Sequence, residues 1–227
     1  MAHRDLFISA TDGLKLHARD DGPRVSPALP VVCLPGMARN AVDFHDLAVA
    51  LAEEDKRPRR VLALDYRGRG RSEWDRDWRR YDLKVEMNDV LHVLAAAGVH
   101  EAVFVGTSRG GLLTMMLCAA RPGLIRGAVL NDAGPVVEVK GLVRIRSYLG
   151  KLPTPRDTRE GAEILRRLSD AQFPSFGDAE WGAVASGTGT RTAVASSPSP
   201  TIRPWPRPSR DSIPRLPCPA CGHFSRA

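Results

Sequence analysis

Long hydrophobic runs are missing from this sequence: no stretch reaches the roughly 18 apolar residues that a membrane-spanning helix requires. The opening residues, Met1-Ala2-His3-Arg4-Asp5, contain no apolar signal core, so the expectation is a cytoplasmic chain with no membrane partner. Cysteine is scarce, with 4 in 227 residues. Cys33 falls in an apolar strand-like run and Cys118 on a helix face, where free buried thiols are common, so no disulfide is implied. Lysine is scarce as well. The net charge of +7 rests almost wholly on arginines, which are dispersed and interleaved with acids through the first part of the chain. That pattern excludes a basic groove, and nucleic acid is not expected as a partner. Histidine is nearly absent from the second half, where His223 stands alone.

With 43% hydrophobic and 26% charged residues the chain can bury one main core. Strand and helix signals alternate up to about Pro135, the pattern of a mostly parallel sheet covered on both faces, so the fold class is α/β. Leu6 to Ser9 and Leu14 to Arg19 flank the turn Thr11-Asp12-Gly13 and read as an antiparallel hairpin. Val31 to Leu34, Arg60 to Leu64, Ala102 to Val105 and Ile125 to Leu130 read as further strands. Between them, Asp43 to Glu53 carries Phe44, Leu47, Val49 and Leu51 at near-helical spacing. Asp82 to Ala97 puts Leu83, Met87, Val90, Leu91 and Leu94 on one face of a helix that Gly98 ends. A third helix runs from the end of the fifth strand to Ala120.

The organisation predicted is a core over residues 1–140, a helical excursion over 141–181 and a tail over 182–227. In the excursion Leu142, Ile145, Leu149, Ile164, Leu165 and Leu168 recur at helical intervals, interrupted at Pro153 and Pro155, as in a small cap. The tail has no apolar period and contains Ser196-Ser197-Pro198-Ser199-Pro200 and Pro204-Trp205-Pro206-Arg207-Pro208. Such composition buries too little apolar area to offset chain entropy, so disorder is expected there.

Chemistry concentrates at Gly106-Thr107-Ser108-Arg109-Gly110, where a β-branched run gives way to a helical pattern. A strand-to-helix elbow lifts a serine out of a strained turn and exposes it for attack, and the flanking glycines let neighbouring backbone pass closely. Ser108 is therefore the candidate nucleophile.

Two more motifs stand in order before it: Leu34-Pro35-Gly36-Met37 after the third strand, and Asp65-Tyr66-Arg67-Gly68-Arg69-Gly70-Arg71-Ser72 after the fourth. With the elbow, they make residues 1 to about 181 resemble the first two-thirds of an α/β-hydrolase of the serine branch. The fold that this implies is a partial α/β-hydrolase with a short helical cap and with its C-terminal strands missing. Serine at the elbow argues against the dehalogenase and epoxide-hydrolase branches, which would call for aspartate. Acyl transfer passes through a tetrahedral oxyanion that fixed N–H donors stabilise. The resemblance assigns those donors to Met37 and Arg109; the second also follows from geometry, since the residue after the nucleophile presents its N–H at a helix start. The blander alternatives are a strand-end turn at Gly36 and a solvated charge for the Arg109 side chain. For Arg67 to Arg71 the structural reading is favoured, a loop that shapes the sheet edge, since no Lys-Ser/Thr pair follows to cradle phosphate.

A serine nucleophile needs a base and the base an orienting acid. Asp132, in Leu130-Asn131-Asp132-Ala133-Gly134-Pro135, stands at the end of the sixth strand, where some members of the family place the acid; the alternative is a loop carboxylate. His223, in Cys221-Gly222-His223-Phe224, echoes the Gly-His that often carries the family's base. Cys218-Pro219-Ala220-Cys221 lacks the second pair that a zinc knuckle needs, so neither a metal nor another cofactor is expected. His17, His45, His92 and His100 read as ordinary surface or helix-face residues.

The leading expectation is a hydrolase of a small-molecule carboxylic ester, thioester or lactone. The second is a catalytically impaired chain, truncated or frame-disrupted near Gly182, where composition shifts as misread codons of a GC-rich gene would make it shift. The third is a non-catalytic binding protein with a Pro-rich tail. A sheet without its last strands would leave the sixth strand open and favour self-association.

Overall fold

The computed structural model describes residues 3–136, 155–171 and 173–187. Six strands form one sheet: β1 (Arg4–Ser9), β2 (Lys15–Asp21), β3 (Val31–Leu34), β4 (Val61–Asp65), β5 (Ala102–Thr107) and β6 (Ile125–Asn131), in the order β1-β2-β4-β3-β5-β6. The opening hairpin pairs antiparallel through Phe7 and His17, and β2 runs antiparallel to β4. From β4 to β6 every pairing is parallel. All six strands, the hairpin pair included, lie where the hydrophobic pattern puts them, since the apolar runs are four to seven residues long and bounded by turn residues.

Alternation along the central strands divides the core in two. Val32 and Leu34 of β3 and Leu62 and Leu64 of β4 face one side, where α2 (Leu83–Ala96) and α3 (Arg109–Ala120) supply Val90, Val93, Leu94, Leu113 and Leu117. Val31, Cys33, Val61 and Ala63 face the other, beneath α1 (His45–Ala52). This two-sided burial is what makes β3 and β4 continuous apolar runs.

The inward face of α1 differs from the expected one. A 3-10 turn over Ala41–Phe44, capped by the Asn40 side chain, sets the phase of the helix. Ala41, Phe44, Ala48 and Ala52 turn inward while Leu47 is 37% exposed. Small residues at intervals of four let the helix approach the sheet closely, so packing distance overrides side-chain size. Cys118 also departs from expectation: it is exposed on α3, whereas Cys33 is buried.

Beyond β6 the described residues form α4 (Thr158–Ser169) and α5 (Asp178–Gly187), which pack on each other. Phe173, Phe176 and Trp181 meet between them, with ring centroids of Phe173 and Phe176 4.9 Å apart and those of Phe176 and Trp181 5.3 Å apart. Helix α5 continues to Gly187, past the boundary expected at residue 182, because Trp181 and Ala185 are both buried. Among the described residues β6 pairs with β5 alone, and Val129 and Leu130 are exposed. No described helix is long and apolar enough to cross a membrane.

Candidate active site

Three loops converge at the C-terminal ends of β3, β4 and β5, and each is held by a different device. The elbow after β5 is held by close packing. A Cβ on Gly110 would collide with the Leu34 carbonyl, and one on Gly106 with the backbone of Gly110, so β3, β5 and α3 approach as only glycine permits. Ser108 between them takes φ +49°, ψ −106°, a strained conformation for a residue with a side chain. Its N–H donates to the Asn131 carbonyl at 2.8 Å, and its carbonyl accepts from Gly111 and Leu112 as α3 begins. No described residue hydrogen-bonds to its hydroxyl.

The loop after β3 lies against this elbow: a Cβ built on Gly36 would stand 3.9 Å from that of Ser108. The carbonyls of Pro35, Gly36 and Met37 are all engaged. Pro35 accepts from the Tyr66 hydroxyl at 3.0 Å, Gly36 from the Arg39 N–H at 3.1 Å, and Met37 from Arg69 Nε at 2.8 Å. The Met37 and Arg109 amides, by contrast, hydrogen-bond to no acceptor among the described residues. Two N–H groups without a described acceptor beside a half-buried serine, one at a helix N-terminus, suit a developing negative charge. The next residues fasten α5 beside the loop: Arg39 donates to the Val184 carbonyl at 2.9 Å and Asn40 to that of Ser186 at 3.2 Å.

The loop after β4 is held by buried charge. Asp65 accepts from the Ala41 N–H at 2.7 Å, the Arg71 N–H at 2.9 Å and His17 Nδ1 at 2.7 Å. Arg67, 1% exposed, forks onto Asp89 with two 2.7 Å bonds and reaches Asp75 and Asp12 with its remaining nitrogen. Burial alone would lower the Arg67 pKa, but Asp89 and Asp12 outweigh it and hold the guanidinium charged. Tyr66 is pushed well above the ordinary tyrosine range by burial and by the Glu86 charge, so its hydroxyl remains a donor to Pro35.

Arg109 is not the solvated charge of the blander alternative. Its Nε donates to the fully buried Glu86 at 2.6 Å and its Nη2 to the Tyr81 carbonyl at 3.3 Å. His17 is not a surface histidine either. It is 2% exposed, with Nδ1 on Asp65 at 2.7 Å and Nε2 on Asp5 at 2.9 Å.

Ser108, Met37 and Arg109 thus meet in one place. Asp132 lies at its rim, one residue beyond the Asn131 carbonyl that receives the Ser108 N–H, in the left-handed region at φ +52°. Its side chain is exposed, and no described residue bonds to the carboxylate. His223 and the Cys218/Cys221 pair lie outside the described residues. Among the described residues no cluster of three His, Cys, Asp or Glu side chains could hold a metal ion. Sequence reading missed Tyr66, Arg69, Tyr81 and Glu86, which surround the two oxyanion candidates; the only signal was the glycine-rich stretch containing Tyr66 and Arg69.

Comparison with known proteins identifies the family of the fold. The chain is 34% identical over 177 residues to the 3-hydroxybutyrate-oligomer hydrolase of Cupriavidus necator, which covers 77% of this chain and 59% of that one. It is 30% identical over 150 residues to lipase LipV of Mycobacterium tuberculosis, covering 66% and 52%. The crystal structure of an alpha/beta hydrolase from Novosphingobium aromaticivorans superposes with a TM-score of 0.75 at 40% identity, over 82% of this chain and 64% of that one. The chain therefore spans between half and two-thirds of the length of these relatives. A family model for the alpha/beta hydrolase fold matches residues 30–159, and the chain belongs to that family.

Proposed function

We propose that this chain is a serine hydrolase of a small-molecule carboxylic ester, thioester or lactone, with Ser108 as nucleophile and the Met37 and Arg109 amides as oxyanion hole. The observation that carries the reading is the half-buried Ser108, whose hydroxyl bonds to no described residue, on a strained elbow beside two amides without described acceptors. In the reaction, Ser108 Oγ attacks the acyl carbon and its proton passes to a base; the carbonyl electrons move to oxygen and are held by the two N–H groups. As the tetrahedral species collapses, the acyl–oxygen or acyl–sulfur bond breaks and the leaving group takes the proton. Water then repeats the sequence on the acyl-enzyme, releasing the acid and restoring Ser108. Asp132 is the candidate acid and His223 the candidate base. No step uses a metal or cofactor.

The relative named for 3-hydroxybutyrate oligomers supports the ester assignment, since such oligomers are joined by carboxylic ester bonds. A fluorophosphonate probe tests the nucleophile: labelling at Ser108, lost in Ser108→Ala together with turnover of a short p-nitrophenyl ester, is the expected result. Labelling that persists in Ser108→Ala would sink the assignment.

A second reading, a catalytically impaired hydrolase, is favoured by one observation. His223 is the single histidine that follows Ser108 in the sequence. This reading predicts weak labelling of Ser108 and no effect of His223→Ala, while an oxyanion hole by itself retains some catalysis.

A further inference from the structure

The two oxyanion candidates are joined by a continuous set of contacts that runs through Arg69. Because a trans peptide sets its C=O and N–H antiparallel, the bond from Arg39 to the Gly36 carbonyl fixes the direction of the Met37 N–H. The carbonyl on the other side of Met37 is fixed by Arg69 Nε at 2.8 Å. Arg69 is itself oriented, with Nη1 on the Arg67 carbonyl at 3.0 Å and its guanidinium 5.4 Å from the centre of the Tyr81 ring. The Tyr81 carbonyl accepts from Arg109, whose Nε is anchored on Glu86. The path Met37, Arg69, Tyr81, Arg109 thus spans the site behind the two N–H donors.

The charges along this path are unequal. Glu86 is paired with Arg109, while the hydrogen bonds of Arg69 go to backbone carbonyls. A guanidinium needs a reason to stand partly buried without a bonded carboxylate. Burial lowers its pKa, Glu86 opposes that, and the like charge of Arg109 lowers it further. Tyr66 secures the preceding carbonyl from the same loop without any charge. What Arg69 adds beyond a neutral donor is a planar fork that bonds two carbonyls at once and lies over a ring.

We propose that Arg69 is a positioning residue for the oxyanion hole: by holding the Met37 carbonyl and packing over Tyr81, it fixes the Met37 N–H relative to the Arg109 N–H. The proposal rests on the serine-hydrolase reading for its catalytic consequence and on geometry for its structural one. Loss of one oxyanion donor costs about 100- to 1,000-fold in kcat, so a donor displaced but not deleted should cost about 10- to 100-fold.

The test uses the full chain and the variants Arg69→Met, Arg69→Gln and Arg69→Lys. Hydrogen exchange of the amides at residues 36–39 should accelerate about 10-fold in Arg69→Met, with exchange in β4 and the thermal midpoint unchanged. The rate of fluorophosphonate labelling at Ser108, and kcat for a p-nitrophenyl ester, should fall about 10- to 100-fold while KM moves less than about 3-fold. Arg69→Lys keeps one donor for the Met37 carbonyl and should recover most of the rate; Arg69→Gln replaces Arg69→Met if the latter does not fold. Unchanged loop exchange in Arg69→Met and Arg69→Gln overturns the proposal, as does a labelling rate equal to that of the parent. If the parent chain is not labelled at all, the serine-hydrolase reading fails and loop exchange by itself decides the role of Arg69.

Discussion

The two halves of the candidate site are built differently. On the nucleophile side, Ser108, Met37 and Arg109 are fixed by glycine contacts, carbonyl bonds and the Glu86 pair, all within residues 34–111. On the acid side, Asp132 sits in a left-handed turn on the exposed end of β6, with no described group bonded to its carboxylate. A parallel sheet explains the contrast. Its central strands are packed on both faces and collect three neighbouring loops, whereas β6 has a described neighbour on one side only. Among the described residues the Met37 and Arg109 amides are held in place, while no described group is held against the Asp132 carboxylate.

The sharpest way to break the contrast is to disturb the packed half. Gly110→Ala drives a Cβ into the Leu34 backbone, and urea denaturation should show a loss of about 3 kcal/mol or more, or no folded protein. Arg67→Met leaves Asp89 buried without its fork and should cost about 3–5 kcal/mol in the same measurement. Either variant retaining parental stability would mean that these loops are not held as described.

Asp132 offers the opposite outcome. Asp132→Asn removes a charge that no described group binds, and asparagine tolerates the left-handed region, so stability should change by less than about 0.5 kcal/mol. Ester turnover should nevertheless fall at least about 10-fold if Asp132 orients the base. Unchanged turnover removes it from the triad.

A smaller effect concerns pH. Burial would raise the Asp5 pKa, but hydrogen bonds from His17 and Arg71 outweigh it and lower the group to about 2. Its folded value lies below the unfolded value of about 3.9, so its contribution is present above that value and is lost as pH falls from about 4 to about 2. The thermal midpoint of the parent should drop through this window more than that of Asp5→Asn; parallel curves would contradict the assignment. The smallest effect distinguishes the two described thiols. Burial pushes Cys33 up to about 12, so iodoacetamide should modify the exposed Cys118 in the native protein and Cys33 only after unfolding.

Much of this was legible in advance, for specific reasons. The strands at Val31–Leu34 and Ala102–Thr107 are short, apolar and bounded, and the elbow is a local motif whose geometry follows from its own residues. The inward face of α1 was not legible, because the alanines at 48 and 52 win their places through proximity to the sheet rather than through hydrophobicity. His17 resembled a surface residue, since its partners Asp5 and Asp65 come from two other strands. Arg69 resembled one charge among several, since its acceptor, Met37, lies 32 positions earlier in the chain.

The sequence by itself determined the α/β architecture, the place of Ser108 on an elbow and the two loops that flank it, because periodicity and glycine spacing act over a few residues. Only the tertiary structure decided what holds those loops: which carbonyls of the Pro35 to Met37 segment are taken, which amides stay free, and that Arg109 is tied to Glu86. These are contacts between segments distant in the chain. A hydrogen bond of that kind depends on where folding brings two groups, and local residue preference carries no record of it.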